Sequence, residues 1–233
     1  MMNLLILLLS FTSIQEKAVT KEYQFIGCGQ YTYNEEGLCS GKLSFDSKKR
    51  LKKKVLYFYD EQGNKIKTEK YNVTNKLITV YEYQFNEKKQ KTKSYKIDHL
   101  KNKVSSKRYT YDDKGRNIET EYYSNNALLK TVKYAFNEFG HQIESTTYNA
   151  EGKRTSLFYT ENKYDKNGRL SEKYTRDTNG KLVKLNHYDY NKESQRSTSF
   201  TYYHSGKRPN SKRIYEYDSN GRKVGFIKYI VIE

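Results

Sequence analysis

Four histidines, His99, His141, His187 and His204, and four recurring aspartates, Asp60, Asp112, Asp165 and Asp218, are the side chains best suited to chemistry. The histidines lie 42, 46 and 17 residues apart in turn, without the H-x-x-H or H-E-x-x-H spacing that puts two imidazoles on one metal. His141 stands where other copies of a repeated motif have Arg116 or Arg169. The aspartates each hold the same place in that motif, and one active site has no use for four copies of its acid. There is neither a G-x-S-x-G elbow nor a glycine-rich phosphate loop. No catalytic, cofactor-binding or metal residue is assigned, and the chain reads as non-enzymatic. Cys28 and Cys39 flank a turn-like Asn-Glu-Glu-Gly and could close a small disulfide loop in an oxidising compartment, with two free thiols as the alternative. The run Lys48, Lys49, Arg50, Lys52, Lys53, Lys54 is the one dense cationic cluster, a candidate site for an anionic partner.

These residues belong to a repeat. YFYDEQGNKI (57–66), YTYDDKGRNI (109–118), YAFNEFGHQI (134–143), NKYDKNGRL (162–170) and YEYDSNGRKV (215–224) are variants of one segment, with weaker copies between them. In each, Asp or Asn can accept hydrogen bonds from the amides of its own turn, and glycine supplies a left-handed residue. Asp60, Gly63, Asp112, Gly115, Gly140, Asp165, Gly168, Asp218 and Gly221 are therefore structural turn positions. A three-residue loop and a four-residue turn both fit, which leaves the cross-strand register open by one residue. Between turns the pattern has period two: Ile118, Thr120 and Tyr122 share one face and Glu119 and Glu121 the other. Two successive turns make a hairpin unit of about 25 residues. The motif degenerates over 86–106 and 191–198, where longer, more mobile loops are expected.

Leu, Ile, Val and Phe make up only about a fifth of the 233 residues, and the net charge is +17. Such values normally mean disorder. The 25 tyrosines change this, because each buries a ring while its hydroxyl stays wet. A single proline also argues against a disordered linker. The composition suits a thin sheet with two partly wet faces rather than a thick core. Residues 1–13 hold an apolar run that is too short to span a bilayer and has the length of a signal-peptide core. The expected organisation is a signal peptide at 1–13, a linker at 14–22 and a β-repeat domain at 23–233.

The Tyr-Asp-x-x-Gly-Arg pattern at 111–117, 164–170 and 217–223 resembles the tyrosine–aspartate repeats of rearrangement-hotspot (RHS) and teneurin proteins. Copies such as Tyr122-Tyr123-Ser124-Asn125-Asn126 are similar to membrane-occupation (MORN) hairpin repeats. The resemblance implies antiparallel strands in a repetitive sheet, although the chain looks too short for a closed shell. The expected fold is all-β, an elongated curved sheet or partial β-shell of about 14 to 17 strands. The last strand, GFIKYIVIE, would tuck back across the sheet or pair with a partner. The expected function is a secreted, periplasmic or cell-surface scaffold that binds an acidic glycan, envelope component or protein partner. Polyanion or nucleic-acid binding by a Lys/Tyr surface is the alternative, and glycan hydrolysis a weaker one. No cofactor and no transmembrane segment are expected.

Overall fold

The computed structural model describes residues 23–203 and 210–231, so the signal-peptide and linker expectations for 1–22 lie outside the described residues. Sixteen strands follow one another: β1 (Tyr23–Tyr33), β2 (Cys39–Phe45), β3 (Leu51–Tyr59), β4 (Lys65–Tyr71), β5 (Leu77–Phe85), β6 (Lys91–Asp98), β7 (Lys103–Tyr111), β8 (Asn117–Ser124), β9 (Ala127–Phe136), β10 (Gln142–Asn149), β11 (Arg154–Tyr164), β12 (Leu170–Arg176), β13 (Leu182–Tyr190), β14 (Arg196–Tyr203), β15 (Ser211–Tyr217) and β16 (Lys223–Val231). Each pairs antiparallel with its neighbours in sequence, and β16 pairs with β1, so the sheet closes into a barrel. Closure overturns the expected open curved sheet or partial β-shell. Its physical reason is that a twisted sheet of equal hairpins brings its last edge round to its first, and pairing them removes both exposed edges. Strands of 7 to 11 residues suffice, because the ring depends on strand number rather than chain length. The final apolar strand neither tucks across the sheet nor awaits a partner; it pairs with β1 from Val231 opposite Tyr23 to Gly225 opposite Gln30.

The turns explain the regularity of the hairpins. At the rim reached by β1, β3 and the other odd-numbered strands (the upper rim), the turn beginning at Asp112 is representative. The Asp112 amide donates to the Arg116 carbonyl, and Gly115 N–H donates back to Asp112 O. Asp112 Oδ1 accepts from the Arg116 amide at 2.8 Å, while Gly115 sits at φ +78°. A bulge follows each such turn, settling the open register by advancing one strand a residue past the other. Residues 86–89 and 191–194 form the same four-residue turn without glycine, Lys89 and Ser194 taking φ 57° and 62°. The longer loops expected there do not form. A left-handed non-glycine residue costs roughly 1–2 kcal/mol, little beside the ladders on either side.

Neighbouring hairpins are fastened by a recurring clamp. The hydroxyls of Tyr59, Tyr111, Tyr190 and Tyr217 donate to the carbonyls of Cys39, Lys91, Leu170 and Arg196, the first residues of the returning strands one hairpin earlier. Tyr33 donates to Lys223 O at 2.7 Å in the same way across the closing seam. Guanidinium groups add a second fastening: Arg169 lies over Tyr190 and Arg222 over Tyr33, each on the hairpin ahead. Contacts between strands are confined to hydrogen-bonded neighbours, so opposite walls of the barrel do not touch. Sixteen strands about 4.8 Å apart and tilted roughly 40° enclose a tube about 30 Å across between backbones.

Candidate functional site

Alternation along each strand divides the wall into two faces. Cross-strand partners such as Tyr57–Thr68, Thr68–Tyr81, Ser94–Lys107 and Thr120–Val132 belong to one face. Thr68, Ser94, Thr120, Val132 and Phe226 are buried there. Residues exposed in mid-strand, such as Glu82, Gln84, Arg108 and Glu161, belong to the other. The first face holds most of the buried side chains, with Val80 and Thr146 the exceptions on the other, and it lines a concavity at β2–β5, which makes it the inner, lumen-facing side.

An aromatic belt runs around that lumen near the upper rim. Tyr31, Tyr57, Tyr83, Tyr109, Tyr134, Tyr188 and Tyr215 each stand three residues before the Asp or Asn of an upper turn, and Asn162 takes the eighth place. Several phenols reach back to the preceding hairpin: Tyr109 bonds Ser94 at 3.0 Å and Tyr215 bonds Ser199 at 3.1 Å. The bulge after each turn brings a further side chain to the same height. Lys65 lies over both Tyr57 (5.0 Å) and Tyr83 (5.8 Å), and Lys91 over both Tyr83 (5.2 Å) and Tyr109 (5.0 Å). Ammonium groups thus sit between successive phenols. Each such cation–π contact contributes about 0.5–1 kcal/mol in partly wet surroundings.

The charge inside is almost entirely of one sign. Lys42, Lys53, Lys70, Lys107, Lys184 and Arg213 occupy inward register positions below the belt. Asp98, paired with Lys96 at 2.9 Å, is the one acidic residue at the inward strand positions among the described residues. Burial, then Arg213 and Lys53, pull the Lys42 ammonium below its ordinary pKa; burial, then Lys70, does the same to Lys53. Burial pushes Tyr57 and Tyr122 up to about 12, so these phenols remain neutral donors at physiological pH. Arg196 and Arg213 each keep a buried Nε–H without a hydrogen-bond partner. A concavity of about 390 Å³ opens off the wall from β2 to β5, with Lys42, Lys53, Tyr57, Lys70, Tyr81 and Tyr83 among its lining. Chemically, this concavity offers ammonium groups and phenolic hydroxyls to an anion and no carboxylate to repel it.

The outer face is different. Lys133 meets Glu119 at 3.4 Å, Lys67 meets Glu69 at 2.7 Å, and Arg108 stands opposite Glu121. The Lys67 hydrogen bond, helped by the Tyr71 hydroxyl, holds the Glu69 carboxyl below its usual range. Charges of both signs at these heights face water rather than acyl chains.

The sequence-derived candidates fall in several places. Asp60, Asp112, Asp165 and Asp218, with Gly63, Gly115, Gly140, Gly168 and Gly221, lie in upper-rim turns, where Arg169 and Arg222 occupy the carboxylates of Asp165 and Asp218. Cys28 and Cys39 are free thiols, opposite Phe45 and Tyr33 at the two ends of the β1–β2 ladder, and are not brought together. The cationic run is split: Lys48, Lys49 and Arg50 belong to a lower-rim turn, Lys52 and Lys54 face outward, and Lys53 faces the lumen. The tyrosine belt was not singled out as a site, although its spacing of 25 to 28 residues is written in the sequence. Among the described residues no cluster of His, Cys, Asp and Glu could hold a metal ion.

No family model matches the chain, and no curated protein does. Among solved structures it is similar to a porin-like protein from Bacteroides uniformis, with a TM-score of 0.39, 8% identity, and 89% of this chain and 98% of that chain covered. A porin-like protein from Bacteroides vulgatus gives 0.38 and 10%, covering 89% and 97%. TcdB2-TccC3 in complex with Cdc42 gives 0.33 and 13%, over 84% of this chain but only 13% of that one. The scores are low, and the barrel's own geometry decides what it can do. That geometry overturns the resemblance to tyrosine–aspartate and MORN repeats, since the strands form one closed ring rather than an open repetitive array. It overturns the scaffold as well. Closure turns the tyrosine face inward, away from any glycan, envelope or protein partner, and the two faces sort charge instead of presenting one Lys/Tyr surface for polyanions. A glycan hydrolase would need paired carboxylates in its cleft, and the lumen excludes them. The expectation of no transmembrane segment rests on helices alone. No helix among the described residues is long and apolar enough to cross a membrane, but barrels cross with strands.

Proposed function

We propose that this protein is a non-catalytic transport barrel of the cell envelope whose lumen admits small anionic solutes. The observation that carries the reading is the sorting of charge across one sheet. Acidic strand residues other than Asp98 stay outside, Glu119 and Glu69 paired with outward lysines, while the inward positions hold lysine, arginine and neutral tyrosine. A hollow wall of sixteen strands leaves room for water and solute, and like charges on a concave surface focus a positive potential along its axis. Ammonium groups would attract the anion, and phenol donors would bond it without adding negative charge.

The native fluorescence tests this, because the chain has tyrosine and no tryptophan. Tyrosine emission should be quenched more strongly by iodide than by caesium at equal ionic strength, by a margin exceeding that of the urea-unfolded chain. The Lys65→Gln/Lys91→Gln variant should lose most of that margin, and the outward Lys52→Gln/Lys54→Gln variant should keep it. Equal quenching by both ions, or a margin indifferent to Lys65 and Lys91, would overturn the reading.

A further inference from the structure

The lower rim, where the chain enters β1 and leaves β16, is unlike the upper one. Four successive turns, 46–49, 72–75, 99–102 and 125–126, form one arc of it. On this arc large apolar side chains stand in solvent: Leu51, Val73 (59% exposed), Leu100 (66%) and Leu129 (52%). Exposed cations flank them, with Lys48 and Arg50 in the first turn, Lys76 after the second, Lys101 in the third and Lys130 beside Leu129. The acids nearest to them are neutralised, Asp46 by Arg50 at 2.8 Å and Asp98 by Lys96 at 2.9 Å. Further round, Asn-Ala-Glu-Gly (149–152) and Asp-Thr-Asn-Gly (177–180) present no large apolar group. The upper rim also exposes Phe58, Ile66, Phe139 and Ile143, but only on the β3–β4 and β9–β10 hairpins, where Glu61 and Glu138 stand in the turns; its other turns mix acids such as Glu35, Glu36 and Asp113 with lysines such as Lys88, Lys89 and Lys114.

Single exposed apolar side chains need no explanation; four on or beside consecutive turns, flanked by Lys48, Lys76 and Lys101, form a surface. A lipid interface takes apolar side chains into the acyl boundary and cations at its phosphate level, and an anionic leaflet attracts each lysine near its surface.

We propose that the arc from β2 to β9 seats the barrel on an anionic lipid surface, with the lower rim toward the bilayer and the upper rim, whose turns mix both charge signs, toward solvent. This rests on the rim and not on the lumen, so the two readings stand or fall separately.

Co-sedimentation of the full chain with phosphatidylcholine vesicles, with and without phosphatidylglycerol, tests it. Retention should favour the anionic vesicles by about tenfold or more and fall as salt is raised. Val73→Ser/Leu100→Ser, two exposed turn positions, should cut retention severalfold while leaving circular dichroism and iodide quenching unchanged. Lys65→Gln/Lys91→Gln should do the reverse. No retention, or equal retention on neutral vesicles, would overturn the proposal. So would full retention by Val73→Ser/Leu100→Ser, which would assign binding to the amino-terminal segment. Lipid-free dimerisation abolished by that same variant would overturn it too, giving the arc to a second copy of the chain.

Discussion

The closing seam between β1 and β16 and the wall around β7–β9 share their fastenings and differ in their packing. Tyr33 clamps Lys223 as Tyr111 clamps Lys91, and Arg222 covers Tyr33 as Arg116 covers Phe136. In the wall, the inner row Tyr109–Thr120–Val132 sets one tyrosine ring beside two medium, β-branched side chains. At the seam, Phe226 is buried to 7% exposure between the cations of Lys42 and Arg213, and Gly29 stands opposite it. Where β1 has Gly29, other outgoing strands have Val55, Tyr81, Lys107 or Val132. A Cβ at Gly29 would overlap the Phe226 ring, and one at Gly27 the Phe45 carbonyl. The repeat therefore supplies the fastenings of closure wherever it occurs, while glycine makes room for the buried Phe226 ring where first and last strands meet.

Four experiments would break or sharpen that contrast. The largest effect is expected from Phe226→Ala, about 4 kcal/mol of lost stability in urea unfolding, against about 1–2 for Val132→Ala in the wall. Equal losses would remove the distinction between the regions. Next, Gly29→Leu should cost about 3 kcal/mol by overpacking, and the Gly29→Leu/Phe226→Ala double variant should recover part of the loss, because the two changes share one space. A strictly additive double variant would mean that ring and glycine do not compete.

Smaller effects test the shared fastening. Tyr33→Phe and Tyr111→Phe should each cost about 1 kcal/mol, with matching values if the seam is clamped like the wall. A much larger loss for Tyr33 would make the seam the weak point of the ring. The mildest effect is acid sensitivity of the upper turns. Hydrogen bonds from the Arg169 side chain and amide hold Asp165 below its ordinary 3.8, and those from the Arg222 amide and side chain do the same for Asp218. Their folded-state pKa values are lowered, so the stabilisation is complete above pH 3.8 and disappears as pH falls through the lower folded values. The thermal midpoint should decline in that window, and Asp165→Asn should flatten the decline.

Much of this fold is legible in the residues, and the gaps have physical causes. Asp-x-x-Gly turns and the alternation of Ile118, Thr120 and Tyr122 specify hairpins because turn chemistry and period two are local. Closure is not local: it depends on twist accumulated over sixteen strands, and no single repeat carries it. Sidedness was also hidden. Period two places Tyr109 and Tyr111 on one face without saying which face becomes concave, and both faces are polar enough to be wet. The bulges conceal the rest, since Lys65 and Lys91 reach the tyrosine belt only because each turn shifts the register by one residue. The run Lys52-Lys53-Lys54 looked like one patch, yet strand alternation sends Lys53 into the lumen and its neighbours out.

Because the Tyr33–Lys223 clamp matches the internal ones, the ring has a seam in its chain but none in its bonding pattern. Bore then becomes a quantity counted in whole hairpins. A tandem duplication of one unit would insert two strands fastened like the rest and widen the tube by about 4 Å. Loss of a unit would narrow it by a similar step. A lineage carrying this motif could thus change the bore of the tube by copying DNA, with no redesign of any residue in the wall.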